Sequence, residues 1–107
     1  MANIVVGCDL DGTYLSGFRP QEAEYVFIAG RKTDDWKNTI NQVGSDRPLY
    51  LRPIWFPGDS PHWKAAVIQW LHLTKFYEDD PNQAREIRRI CPNCEVVMVR
   101  DGKIVPG

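Results

Sequence analysis

The chain has 107 residues and a formal charge of -1; that length supports one hydrophobic core and is too short for two, so a single domain spanning residues 1–107 is expected. The near-neutral balance offers no global attraction to nucleic acid or to membranes, and no apolar segment approaches membrane-spanning length. The three cysteines, an odd number, fit a reducing compartment better than a disulfide scaffold.

The N-terminus reads directly into an apolar strand rather than a signal peptide, which makes the cytoplasm the expected location. That strand, Ile4-Val5-Val6-Gly7-Cys8, runs into Asp9-Leu10-Asp11-Gly12-Thr13. An apolar run that stops abruptly at two carboxylates, a glycine and a hydroxyl is a poor piece of core, but it delivers acids into a cleft. Asp9 and Asp11 share a side of an extended backbone, and carboxylates that close repel unless a cation lies between them. For an all-oxygen site the expected ion is Mg²⁺, which takes one or two carboxylates, keeps several waters and leaves room for a phosphate oxygen. Gly12 permits a sharp turn out of the strand, and Thr13 can aim its hydroxyl and backbone N–H at an anion. Cys8 points away from Asp9, into the core.

Tyr14 to Pro20 carries turn formers and no clear period, so it reads as an irregular flap, with at most a turn of helix over Gln21 to Glu24. Tyr25-Val26-Phe27-Ile28-Ala29 is a second strand, ending in Gly30-Arg31. A cation beside the next helix start is opposed by the helix dipole unless an anion comes to it, which marks Arg31 as an anion ligand. Thr33 is the expected N-cap of a helix over Asp34–Val43 with Gly44 as its stop, and Trp36, Ile40 and Val43 would face the sheet. Leu49-Tyr50-Leu51-Arg52-Pro53 is a short strand closed by proline.

After a loop from Ile54 to Pro61, a further helix begins with Ser60 as N-cap and Pro61 at its first position, its apolar stripe supplied by Val67, Trp70 and Leu71. Lys64 lies in the first turn of that helix, where a cation needs a reason to be. Lys75-Phe76-Tyr77-Glu78-Asp79-Asp80-Pro81 reads as a fourth strand ending in acids, with Asp79 and Asp80 as metal candidates and Glu78 turned away by the alternation. A short helix over Pro81–Ile90, a turn at Cys91-Pro92-Asn93-Cys94, a fifth strand Glu95–Val99 and a hairpin turn at Asp101-Gly102 complete the chain. Cys91 and Cys94 have half of a zinc site's spacing, and neither His62 nor His72 completes it.

Asp9-Leu10-Asp11-Gly12-Thr13 resembles the DxDGT signature of the haloacid dehalogenase superfamily of phosphohydrolases, and the later acidic and basic motifs follow in that superfamily's order. The resemblance implies an α/β fold of three layers, Rossmann-like, with a central, mostly parallel sheet of about five strands flanked by helices and no space for a cap domain. It also implies roles. Asp9 would be the nucleophile that forms an aspartyl-phosphate, Asp11 the general acid and base, and Lys64 the cation that offsets their charge. Thr13, the backbone at Ala29 and Gly30, Arg31 and Lys64 would hold the phosphate. Asp9, Asp11, Asp79 and Asp80 would bind Mg²⁺. Ala29 stands where a Ser or Thr is usual.

A narrower similarity, carried by Leu49-Tyr50-Leu51-Arg52-Pro53, Gly58-Asp59, Lys64 and Tyr77-Glu78-Asp79-Asp80-Pro81, is to the 3′-phosphatase family of phage polynucleotide kinases. Ser60 and Pro81 stand where that family has an Asp and an Arg. The implied substrate is a phosphorylated nucleic-acid end or a nucleotide, with Arg19 and Arg52 as candidates for its backbone. Without a lid, water must be excluded by a large substrate or by a second subunit, so a homo-oligomer is an alternative way to close the cleft. Two rival readings are a non-catalytic domain of the same fold that binds a nucleotide or a partner, and a small-molecule phosphatase lidded by its own second copy.

Overall fold

The computed structural model describes residues 4–106. Six strands form one sheet in the order β3-β2-β1-β4-β5-β6: β1 (Val6–Cys8), β2 (Val26–Lys32), β3 (Leu49–Arg52), β4 (Lys75–Glu78), β5 (Glu95–Arg100) and β6 (Lys103–Ile104). All neighbours run parallel except the short β6, which returns antiparallel on β5 and makes the sheet one strand larger than the expected five. The described helices are α1 (Trp36–Val43), α2 (Ser60–Leu71) and α3 (Pro81–Ile90). No described helix is long and apolar enough to cross a membrane.

Period-two alternation divides the core between the two faces of the sheet. Val26, Ile28, Phe76 and Val96 pack with Ala65, Val67 and Ile68 of α2 and Ala84 and Ile87 of α3. On the other face Val6, Cys8, Phe27, Ala29, Tyr77 and Val99 pack with Phe18 and Tyr25 from the segment between β1 and β2, and with Val43 of α1. The layers are therefore helix, sheet and helix, with the irregular flap helping α1 to cover the second face. The flap itself contains one turn of 3-10 helix over Tyr14–Ser16.

Helix ends follow the local chemistry, with two corrections to the sequence reading. α1 begins at Trp36 rather than Asp34, and Thr33 is not its N-cap but the first residue of a 3-10 turn that precedes it. The N-cap of α2 is Asp59, whose carboxylate accepts from the His62 N–H, and not Ser60, which enters the helix and packs against Gly30. α3 starts at Pro81 with the Asp80 carboxylate accepting from the N–H groups of Asn82 and Gln83, and it carries Arg88 and Arg89 in its last turn, where cations are favoured. Trp36 and Trp70 do not face the sheet: they are 51% and 68% exposed. In α1 the buried position is Thr39, because Thr33–Asp35 winds as a separate 3-10 turn and rotates Trp36 outward.

The chain order crosses the sheet at one place. From β1 it moves outward to β2 and β3, then returns over α2 to β4 on the other side of β1. In open parallel sheets the crevice at such a reversal, outside the strand carboxyl ends, is where ligands bind. Asp9 follows β1 directly, and Asp79 follows β4.

Candidate active site

A cleft of about 380 Å³ opens at that reversal, lined by Asp9, Asp11, Gly12, Gly30, Arg31, Ser60, Lys64, Glu78, Asp79, Asp80 and Gln83. Its floor is made by adjacent strand ends. Cys8 is in register with Tyr77, so the next residues, Asp9 and Glu78, are lateral neighbours pointing to the same side of the sheet. Asp79 joins them as the chain leaves β4, and one carboxylate oxygen from each of Asp9, Glu78 and Asp79 lies within 4.8 Å of the others.

This places Glu78 differently from the strand-alternation expectation. β4 ends at Glu78, and the backbone turns before Asp79, so the two acids are not on opposite sides of a continuing strand. The Glu78 carboxylate accepts from the N–H groups of Asp79 and Asp80 at 3.1 and 3.2 Å, which fixes that turn. The sequence signal was present in the shared parity of Phe76 and Glu78, but only the β1–β4 register shows that Asp9 has the same facing.

Lys64 enters the floor from α2. Its ammonium lies 3.0 Å from an Asp9 oxygen, 2.8 Å from Glu78 and 2.7 Å from the Gln83 side-chain oxygen, with the residue only 2% exposed. Burial pushes the Asp9 carboxyl well above its ordinary range, with the Glu78 charge adding to the shift and Lys64 opposing it. Burial likewise raises Glu78 against the pull of Lys64. Burial alone would lower Lys64, but the two carboxylates outweigh it and hold the ammonium charged.

Asp11 does not join the cluster. The chain turns through Gly12, whose φ of +78° suits glycine, and any Cβ there would stand 2.0 Å from an Asp79 oxygen. Asp11 is thereby carried to the rim, 62% exposed at its side chain, where Arg31 grips both its oxygens at 2.9 and 2.7 Å. Those hydrogen bonds hold the Asp11 carboxyl below its usual range. Arg31 also donates to Thr39 and Gln42 of α1.

Arg31 reaches this position through a break in the β2–β3 ladder. Pairing passes from Ala29–Leu51 to Lys32–Arg52, so Gly30 and Arg31 bulge out of the ladder at the cleft. Arg52 secures the bulge by donating to the Gly30 carbonyl at 3.1 Å, and a Cβ on Gly30 would lie 2.1 Å from the Ser60 hydroxyl.

The remaining sequence-predicted residues are placed as follows. Thr13 is fully buried, its hydroxyl 3.1 Å from Asp79 and 3.4 Å from Asp9, while its N–H donates to the Leu10 carbonyl; it braces the acids from beneath. Ala29 turns its methyl into the core. Asp80 lines the cleft while capping α3. Arg19 lies outside the cleft lining, stacked on the Tyr14 ring and donating to the Tyr14 and Phe18 carbonyls. Cys91 and Cys94 are buried thiols pointing at different carbonyls across a turn, and the acidic group is the candidate metal cluster among the described residues.

With all three carboxylates ionised, the one ammonium leaves the floor two charges short of neutrality, and burial resists that state by raising Asp9 and Glu78. A divalent cation would balance it, and the donors are all oxygen, the chemistry hard ions prefer. The residues present therefore fit such an ion. Comparison with protein-family models, with curated proteins and with solved structures finds no match to this chain.

Proposed function

We propose that this chain is a Mg²⁺-dependent phosphomonoesterase of the haloacid dehalogenase type, built on a capless Rossmann-like domain. The supporting observation is the floor itself: Asp9, Glu78 and Asp79 gathered around one buried lysine at the point where the strand order reverses. A buried acid cluster of this charge is costly as mere structure and useful as a cation cradle.

Asp9, Glu78 and Asp79 would hold the ion, with Asp80 at its margin. When bound, the ion supplies positive charge that keeps the acids ionised and stabilises charge on the transferring group. Lys64 holds one Asp9 oxygen, leaving the other, 3.4 Å from the Thr13 hydroxyl, as the nucleophile. That oxygen attacks phosphorus, the bond to the leaving alcohol breaks, and the chain carries an aspartyl-phosphate. Asp11, released by Arg31, takes a proton from solvent and gives it to the departing oxygen; it then takes one from the water whose oxygen attacks phosphorus, which breaks the bond to Asp9 and releases phosphate.

Arg31 has a double part here. Its guanidinium spans Asp11 at the rim, and an arriving phosphate competes for the same fork. Transfer of Arg31 from Asp11 to phosphate frees Asp11 to accept a proton, which couples substrate arrival to the acid's readiness. The substrate class is a phosphorylated nucleic-acid end, because no lid among the described residues seals the cleft around a small molecule; a nucleotide would need a second subunit to close over it.

The test is Mg²⁺-dependent hydrolysis of an aryl phosphate, followed by a 3′-phosphorylated oligonucleotide and a nucleoside monophosphate. Asp9→Asn should lower the rate by about three orders of magnitude or more while leaving the far-ultraviolet circular dichroism unchanged. Equal rates in both proteins, or none in the native chain, would remove the catalytic reading. The second outcome would favour a binding domain, for which the Arg31–Asp11 pair across the cleft mouth is the observation in support.

A further inference from the structure

The four tryptophans of this chain gather on one side, away from the acid floor. Trp55, Phe56, Trp63, Ala66, Val67 and Trp70 line one groove of about 380 Å³ along the outside of α2. Trp63 also belongs to an adjoining groove with Trp36, Ile40 and the residues of the edge strand β3. Phe56 and Trp63 stack edge to face at 5.3 Å, and Tyr50 and Trp70 at 6.1 Å, so the aromatic groups form one continuous surface.

α2 thus has two apolar sides. Ala65, Val67 and Ile68 are buried against the sheet and α3. Trp63, Ala66 and Trp70, at i, i+3 and i+7, line a second side with Trp55 and Phe56; Val67 forms its buried base, and Trp55 and Trp70 are its exposed part at 79% and 68%. Helices that are apolar on both sides are normally buried on both.

We infer that this surface is the interface of a two-fold dimer, with α2 packed antiparallel against α2 of a second copy. Three observations support a second copy as the occupant. Trp63 and Trp70 lie at equal distances along α2 from the Ala66–Val67 midpoint, so a two-fold axis there sets each Trp63 against Trp70 of the other copy, as an isologous contact requires. Alanine at the centre lets the helix axes approach to the usual packing distance while the indoles close over both ends.

Area is the second. Trp36, Trp55 and Trp70 are 51%, 79% and 68% exposed, together about two full indole side chains, or roughly 500 Å² at about 250 Å² each. With Ile54, Phe56 and Tyr50 added, the surface approaches the ~800 Å² per partner of a stable protein interface.

Charge is the third. The one Lys or Arg of α2 is Lys64, which is buried at the acid floor, and no residue lining the groove is cationic. A phosphodiester chain would find nothing there to pair with its charge.

The dimer does not depend on the catalytic reading, and its test needs no substrate. Light scattering coupled to gel filtration, with sedimentation velocity, should give twice the chain mass at micromolar concentration. Trp70→Arg and, separately, Ala66→Arg should raise the dissociation constant at least ~30-fold, with circular dichroism unchanged, whereas Gln69→Arg on the same helix should leave it within a few-fold. Ala66→Cys, beside the axis, should cross-link two copies under mild oxidation. A native chain that stays monomeric into the high micromolar range overturns the inference, as does a dimer indifferent to Trp70→Arg, or one in which Ala66→Cys does not cross-link. A monomer whose tryptophan fluorescence is quenched by single-stranded DNA overturns it in favour of nucleic acid.

Discussion

Lys64 shows what a single side chain does when it is buried among acids. Its ammonium is paired with Asp9 and Glu78, so removing it leaves like charges facing each other in a desolvated pocket. Breaking a buried pair on one side costs about 3–5 kcal/mol. Lys64→Met is expected to lower the urea unfolding free energy by about that amount, and saturating Mg²⁺ should restore part of it. An equal deficit with and without the ion would show that the cluster does not hold it. Gly12 is constrained as tightly, by a positive φ and by Asp79 lying where a Cβ would be. Gly12→Ala should cost about 1–3 kcal/mol from backbone strain and, by displacing Asp79, should also weaken metal affinity measured by calorimetry.

At the level of elements, the segment between β1 and β2 is tied to β4 by one acid. Glu22 accepts from the Tyr77 hydroxyl at 2.7 Å and from the Lys75 ammonium at 3.0 Å. Desolvation raises the Glu22 carboxyl, but the Tyr77 and Lys75 hydrogen bonds prevail and hold it below its ordinary 4.5. A carboxyl depressed on folding contributes stability that is complete above its unfolded value and is lost as pH falls through the folded one. Glu22→Gln should therefore be less stable than the native chain at neutral pH, and the gap should close as acid is added below 4.5. Urea midpoints at a series of pH values measure this; a gap independent of pH would place the effect in packing rather than charge.

At the scale of the whole molecule, a metal ion held by the acid floor would be linked to folding, since the three acids come from the ends of two strands that meet only in the folded state. An ion that binds the folded chain alone stabilises it by about 2.7 kcal/mol at a hundred times its dissociation constant. For a domain of this size that raises the melting temperature by roughly ten degrees or more. Mg²⁺ is expected to produce such a rise in the native chain and a smaller one in Asp79→Asn. No shift in either would leave the acid floor without a cation and the phosphohydrolase reading without its central part.

Much of the architecture was legible in the sequence because its causes are local. Apolar runs bounded by Gly, Pro and acids mark β1 to β5, and Pro81 after an acid marks the start of α3. The convergence of Asp9, Lys64 and Asp79 was also expected, since all three lie at strand ends or helix starts, which an open parallel sheet brings to one edge. Three other features were decided by tertiary structure. Glu78 joined the floor because the β1–β4 register aligned it with Asp9; Asp11 left it because the turn at Gly12 carried it to Arg31; Trp70 faced outward because α2 had already spent another side on the core. Spacing along a chain fixes which residues share a strand or a helix turn, while which strand lies beside which, and in what register, is set by burial of the whole apolar surface at once.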